Sequence, residues 1–248
     1  MKLTLPDKSI RDLKNGSTGF DLANDIGPGL AKAAVAVTVD GVQRDLHDPI
    51  MHDANISIIT IDSEEGLEIM RHTLAAQVLA RAVKNLYPKS KLAIGPTIKD
   101  GFYYDVECKE TISIDDLKKI EKEMDKIVKT KSSITKKLLS KKDALKVFKD
   151  KDESYKEEII NDSDQEDKFQ LYYQDDEDFV DLCKGPHLPS LNFIGAYKLT
   201  TISGAYWKGD SSNTMLTRIY GTAWSNEKDL KEHLSNIEEA QKRDHLKL

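Results

Sequence analysis

Cysteine is scarce in this chain: 248 residues carry only Cys108 and Cys183. Two thiols cannot staple a small fold, and so sparse a supply fits a reducing compartment. Long apolar runs are missing as well, and none approaches the ~20 residues that a bilayer-spanning helix requires. The N-terminus, Met1-Lys-Leu-Thr-Leu-Pro-Asp7, alternates apolar and polar residues and lacks the apolar stretch of a signal peptide. These absences exclude a disulfide scaffold and a helical membrane protein, and they point to a cytoplasmic protein. Apolar residues at 39% and charged ones at 32% supply a core beneath a highly charged surface, in one large domain or two ordinary ones.

The formal net charge of −6 gives no excess of positive charge for binding nucleic acid, but the charges are segregated. Lysines dominate from Leu117 to Lys156, and acids take over from Asp150 to Asp178, ending in Asp175-Asp-Glu-Asp178. A local basic surface can contact phosphate whatever the net charge. The plainer alternative is a solvated lysine-rich face, and the acidic block reads as a solvated loop.

Residues 1 to about 62 read as a compact β-rich module. Lys2-Leu-Thr-Leu5 is a short strand, Phe20 to Ile26 a helix ended by Gly27-Pro28-Gly29, and Val35 to Val39 a strand. Asp40-Gly41 then predicts a tight turn into Val42, and Ile56 to Ile61 a buried strand. The order suits a small ubiquitin-like roll, with Ser63-Glu-Glu-Gly66 as a polar hinge. Leu67, Met70, Leu74, Val78, Ala82 and Leu86 recur at helical spacing, and Tyr87-Pro88 stops that helix. Strands are expected over Leu92–Ile94, Gly101–Val106, Phe169–Tyr173, Phe179–Leu182, Ala196–Ile202, Ala205–Trp207 and Met215–Tyr220. Helices are expected over Ile114 to Thr130, behind a Ser113 cap, and Lys141 to Phe148. A last charged helix runs from beyond Trp224 to Leu248 without a stop signal, and is expected to lead into further protein.

Chemistry concentrates in Asp181-Leu-Cys-Lys-Gly-Pro-His187. Gly185 and Pro186 disfavour a continuous helix, so the segment should turn and bring Cys183 and His187 to one point. Such a pair can bind a metal, activate a water or form part of a nucleophile–base couple. The bland alternative is a buried cysteine beside a hydrogen-bonded histidine. A second segment, Met70-Arg-His-Thr-Leu-Ala-Ala-Gln77, offers His72 as a partner.

With both segments in view, the whole chain resembles the N-terminal half of a bacterial threonyl-tRNA synthetase. The resemblance is carried by Asp25-Ile-Gly-Pro-Gly-Leu-Ala-Lys32, Ile94-Gly-Pro96 with Gly101-Phe-Tyr-Tyr-Asp105, and Asp181 to His187. Gly204-Ala-Tyr-Trp-Lys-Gly-Asp210 and Arg218-Ile-Tyr-Gly-Thr-Ala-Trp224 complete it. It implies an α+β chain: a TGS domain over 1–62, an editing domain over 63–225 with a mainly antiparallel sheet and a long helix, and a linker helix over 226–248 toward a catalytic domain. The implied activity is deacylation of serine wrongly attached to the threonine tRNA. Serine is threonine less one methyl, which a binding pocket discriminates by only about 1–3 kcal/mol, so a second, hydrolytic pocket is needed. The implied partners are the tRNA(Thr) acceptor end, the seryl moiety and the remainder of the synthetase, a homodimer when whole, with this fragment a monomer. Membrane has no part. ATP and zinc would belong to the catalytic domain, and editing itself would use water and no cofactor.

The family pattern is a helix bearing His-x-x-x-His opposite Cys-x-x-x-His. Here His72, Cys183 and His187 match, but Ala76 stands four residues after His72 and Gln77 five after. Residues five apart on a regular helix diverge by about 140°; a one-residue π-bulge between Arg71 and Leu79 would return Gln77 to the face of His72. On this reading His72 orients or deprotonates the water, Cys183 and His187 shape the pocket and share the proton, and Gln77 orients water or substrate. By resemblance Asp181 and Lys156 contact the serine or terminal ribose, and Tyr104 forms a wall. Each has a structural alternative: a core histidine for His72, a turn cap for Asp181, a surface lysine for Lys156, core for Tyr104. With one histidine replaced, three good zinc ligands remain; alanyl-type relatives resemble zinc proteins and the threonyl type a metal-independent hydrolase, so no tightly bound zinc is expected. The runner-up reading is a binding module that grips the tRNA acceptor but has lost catalysis with its second helix histidine. A free-standing editing factor is the third.

Overall fold

The computed structural model describes residues 1–247; the expected end of the last helix, Leu248, lies outside them. Strand β1 (Lys2–Thr4) pairs with β2 (Ile10–Asp12) on one side and, in parallel, with β5 (Ala54–Thr60) on the other. Helices α1 (Gly19–Ile26) and α2 (Pro28–Ala33) separate them from β3 (Ala34–Val39) and β4 (Val42–Asp45), giving the order β2-β1-β5-β3-β4. Thr18 and Asp21 form a capping box at the start of α1, while Pro28 sits where α2 needs no N–H donor. Asp40 and Gly41 both take positive φ, 48° and 84°, as the tight β3–β4 hairpin requires. Strand β2 escapes sequence reading because its one apolar residue, Ile10, is exposed.

This first sheet has two apolar faces. Leu3, Leu22, Val37 and Ile56 pack together on one, whereas Val35, Ala36 and Ile59 join the main core of the chain with Ile69 and Met70. Ser63-Glu-Glu-Gly66 is therefore not the expected hinge. Ser63 caps α3 (Glu64–Thr73) by accepting the Gly66 N–H. A Cβ on Gly66 would stand 2.1 Å from the Thr60 carbonyl oxygen, so the junction is closely packed.

The long helix is α3, a π-helical turn over Leu74–Leu79, and α4 (Ala80–Leu86). All six residues of the π turn are buried. The helix packs against an antiparallel sheet of order β12-β13-β8-β6, formed by β6 (Lys91–Leu92), β8 (Gly101–Glu107), β12 (Ala196–Tyr206) and β13 (Met215–Trp224), with β7 (Thr97–Ile98) also on β8. Ser113 caps a short 3-10 turn ahead of α5 (Leu117–Lys129), which buries Leu117, Ile120, Met124 and Ile127 in the same core.

A smaller lobe completes the site. Strands β9 (Ile134–Leu139), β10 (Phe169–Gln174) and β11 (Val180–Leu182) form an antiparallel sheet of order β11-β10-β9. On it lie α6 (Lys141–Asp150) and α7 (Ser154–Asp162), through Ala144, Phe148 and Ile160. One expectation fails here: part of the acidic block is α7 rather than a solvated loop, because Tyr155 and Ile160 anchor it beneath its charged surface. Strand β9 falls in the lysine-rich stretch, between the two expected helices. Helix α8 (Glu227–His245) follows β13 and buries Leu230. Among the described residues no helix is long and apolar enough to cross a membrane.

Candidate active site

Helix α3 ends beside the irregular segment after β11, and this meeting point unites residues more than a hundred positions apart. His72 Nε2 lies 3.0 Å from Cys183 Sγ. The His72 and His187 ring centroids are 4.6 Å apart. One nitrogen of each imidazole and the Cys183 sulfur all fall within 4.8 Å of one another. Beside them opens a cavity of about 470 Å³, lined by His72, Ala76, Lys156, Asp181, Cys183, Lys184 and the Ile94–Thr97 loop. That size suits a small organic ligand.

His187 is not a wall of this cavity, contrary to expectation. It is 2% exposed and lies behind the His72–Cys183 pair, toward the N-terminal module. Thr73 Oγ1 accepts the Leu188 N–H at 3.0 Å and sits 3.0 Å from His187 Nδ1. His187 Nε2 is buried with no hydrogen-bond partner among the described residues. The remaining expectations divide. Lys156 and Asp181 do line the cavity as a buried pair, Nζ to Oδ1 2.7 Å, with Lys156 also donating to the Ala93 carbonyl at 2.6 Å. Tyr104 is not a wall: it is fully buried behind Asp181 and donates its phenol proton to Oδ2 at 3.1 Å.

Gln77 is corrected most clearly. The π turn is where the spacing places it, yet Ala76 and not Gln77 reaches the cavity. Gln77 is fully buried against β10, donating to the Tyr172 carbonyl at 3.4 Å and accepting from Gln174 Nε2 at 3.2 Å. Of the four hydrogen-bonding sites of its carboxamide, one donor and one acceptor are thus met on β10.

Burial sets the protonation states. It lowers the pKa of His72, with Asp181 and Asp45 opposing it more weakly. It lowers that of His187 well below its ordinary value, and His72 adds to the effect. Burial pushes the Cys183 thiol up to about 12, the Gly185 N–H acting in the opposite sense. Tyr104 rises well above its ordinary value through burial and the Asp181 charge. At neutral pH the site thus holds two neutral imidazoles, a neutral thiol and a neutral phenol around one buried ion pair. As a metal centre it offers three ligands, while the helix position for a fourth is an alanine.

Sequence reading missed Thr73, Tyr172 and Asp45. Thr73 adjoins His72 and was within reach of helix geometry. Tyr172 sets its ring edge-on to His187, with centroids 4.5 Å apart at 85°, and Asp45 comes from the other module.

Comparison with known proteins agrees with this layout. Residues 1–60 match the TGS domain, and residues 170–220 match the threonyl and alanyl tRNA synthetase second additional domain. The threonine--tRNA ligase of Hahella chejuensis is 49% identical over 246 residues, 99% of this chain and 38% of the relative. That of Francisella philomiragia is 48% identical over 248 residues, 100% of this chain and 39% of the relative. The chain thus spans well under half the length of these relatives. Along its whole length it corresponds to the N-terminal region of bacterial threonine--tRNA ligases.

Proposed function

We propose that this chain hydrolyses serine from mischarged seryl-tRNA(Thr), as the editing portion of a threonine--tRNA ligase. The observation that carries the reading is the neutral His72 imidazole on the wall of a small cavity, 3.0 Å from a protonated thiol. An aminoacyl ester is already activated, so hydrolysis needs a positioned water, a proton acceptor and a donor for the developing oxyanion or leaving oxygen. His72 accepts the proton of the attacking water. The imidazolium so formed is the stronger acid and lies 3.0 Å from the thiol, so its proton passes through Cys183 to the leaving ribose oxygen: Cys183 takes one proton from His72 as it gives one up, and its pKa near 12 keeps it from acting as a covalent catalyst. The Lys156 ammonium, anchored by Asp181 and the Ala93 carbonyl, presents positive charge to the seryl or ribose oxygens.

Water is the nucleophile, and no cofactor is assigned to the site. His72, Cys183 and His187 could bind zinc, but the proposed steps need only their proton chemistry. The partners in this reading are the tRNA(Thr) acceptor end and the rest of the ligase, homodimeric and cytoplasmic, whose catalytic part would use ATP and zinc. Parallel deacylation of seryl- and threonyl-tRNA(Thr) tests the proposal: serine should be released and threonine largely retained. Equal release removes the editing assignment. Release of neither, with tRNA still bound, makes the chain an acceptor-binding module, and Ala76 the first place to look for the lost activity.

A further inference from the structure

Asp45 ends β4 of the N-terminal sheet, yet its carboxylate serves the other half of the chain. Oδ1 accepts the His187 backbone N–H at 2.9 Å, and Oδ2 accepts the Tyr172 phenol proton at 2.6 Å. Lys136 Nζ supplies the countercharge, 3.1 Å from Asp45 Oδ2 and 2.7 Å from Asp48. The Asp45 side chain is only 13% exposed, so its two bonds are charge-assisted and poorly screened.

Both bonds act on one imidazole. Tyr172 braces the His187 ring edge-on. Its hydroxyl also fills the space that a Cβ at Gly185 would need, 2.1 Å away, and Gly185 has a φ of +66°. The chain between Cys183 and His187 can therefore close over the phenol only with glycine at 185. His187 is held at three points: backbone by Asp45, ring edge by Tyr172, and Nδ1 by Thr73. Nε2 has no hydrogen-bond partner among the described residues, and the ring packs on His72. Holding the two halves together does not require Asp45. Val35, Ala36 and Ile59 already lie in the shared core, and Asp48 pairs with Lys136 without touching His187.

We infer that Asp45 is a positioning residue for the deacylation site, through which the N-terminal module holds His187 against His72. The inference rests on the deacylase reading above. It makes that module a structural part of the hydrolytic centre as well as its neighbour.

The test compares the wild-type chain with Asp45→Ala, Asp45→Asn and Asp48→Asn in steady-state hydrolysis of seryl-tRNA(Thr), alongside the His187 amide resonance and the thermal midpoint. Misplacement of a reacting group by about 1 Å costs up to about 10²-fold. Asp45→Ala should accordingly lower kcat by about 10-fold to 100-fold with KM nearly unchanged. Its His187 amide proton should move upfield as the bond to the carboxylate is lost. Asp45→Asn, which keeps a neutral acceptor, should fall between Asp45→Ala and wild type. Asp48→Asn should lower the thermal midpoint while leaving kcat and the His187 amide in place. If Asp45→Ala does not fold, Asp45→Asn decides: reduced kcat with a shifted amide supports the inference, and wild-type behaviour overturns it. An equal loss of kcat in Asp48→Asn also overturns it, because the interface as a whole would then be responsible. A wild type inactive on seryl-tRNA(Thr) overturns the proposed function and this inference together, whereas an active wild type matched by Asp45→Ala overturns the inference alone.

Discussion

Replacing Lys156 with methionine nearly preserves side-chain volume and removes the ammonium from a pair whose members are only 3% and 2% exposed. Asp181 would keep the Tyr104 phenol at 3.1 Å and the Leu182 N–H at 2.8 Å but lose the cation 2.7 Å away. Stranding one member of a buried ion pair costs about 3–5 kcal/mol, and the two surviving bonds put Lys156→Met near the lower end. Asp181→Asn strands Lys156 in the same way, leaving it the Ala93 carbonyl. The double variant strands no charge, so it should be more stable than the sum of the single losses by about 2 kcal/mol, within the range for residues in contact. Urea denaturation of the four proteins, followed by circular dichroism, measures this through the midpoints and slopes. Single losses below about 1 kcal/mol that simply add would refute the reasoning, because exposed pairs behave that way. The cavity-facing ammonium adds a functional arm: Lys156→Met should raise KM for seryl-tRNA(Thr) at temperatures where the variant remains folded.

The site makes four further predictions. His72→Ala should slow seryl-tRNA(Thr) hydrolysis by about 10²-fold or more, the scale of a lost general base. Gln77→Ala should leave hydrolysis near wild type while costing about 1–3 kcal/mol of stability through stranded partners on β10; a large kcat loss in a stable Gln77→Ala would return Gln77 to the site. Because burial lowers both His72 and His187 below the ordinary value of 6.5, the unfolded chain binds more protons between their folded values and 6.5. Stability is therefore undiminished above that window and declines on acidification through it. The thermal midpoint should fall between pH 7 and 5.5, less so in His187→Gln, and the acid limb of hydrolysis should lie below 6.5; a midpoint rising over that range would contradict the assignment. Metal removal should change nothing: dialysis against a chelator should leave the hydrolysis rate intact, and zinc well below one equivalent should be found in the active protein. Restoration of a lost activity by zinc would instead identify His72, Cys183 and His187 as ligands.

What the sequence made legible follows from its periodicities. The long helix announced itself through Leu67, Met70, Leu74 and Val78, and the β3–β4 hairpin through Asp40-Gly41, because each signal is local and repeats. Helix α7 was hidden because charged residues outnumber its apolar anchors, leaving Tyr155 and Ile160 to reveal it. Strand β9 was hidden because Lys136 and Lys137 look like surface, whereas Lys136 is engaged with Asp45 and Asp48 across the module boundary. The site followed the same rule. Cys183 and His187 lie on one short turn, and family resemblance added His72, but the Asp45–His187 contact spans 142 positions and has no local trace.

The π turn shows where reasoning from spacing stops. Counting residues between His72 and Tyr87-Pro88 locates the insertion, since an extra residue must be accommodated before the helix ends. Counting cannot say which side chain the wider turn directs into the cavity, because that depends on what waits on each side. On one side the β10 backbone and Gln174 offer Gln77 a donor and an acceptor; on the other, Ala76 faces the open cavity. Hydrogen bonding decides the register of polarity around the bulge. The consequence is chemical: the helix brings one imidazole, His72, to the cavity, and in the proposed deacylation that imidazole is the base. The second imidazole, His187, approaches from behind, held by Thr73, Tyr172 and a carboxylate from the first module. A site that has one histidine on its wall and one beneath it depends on the packing of that second layer, which is why Asp45 belongs in any account of its chemistry.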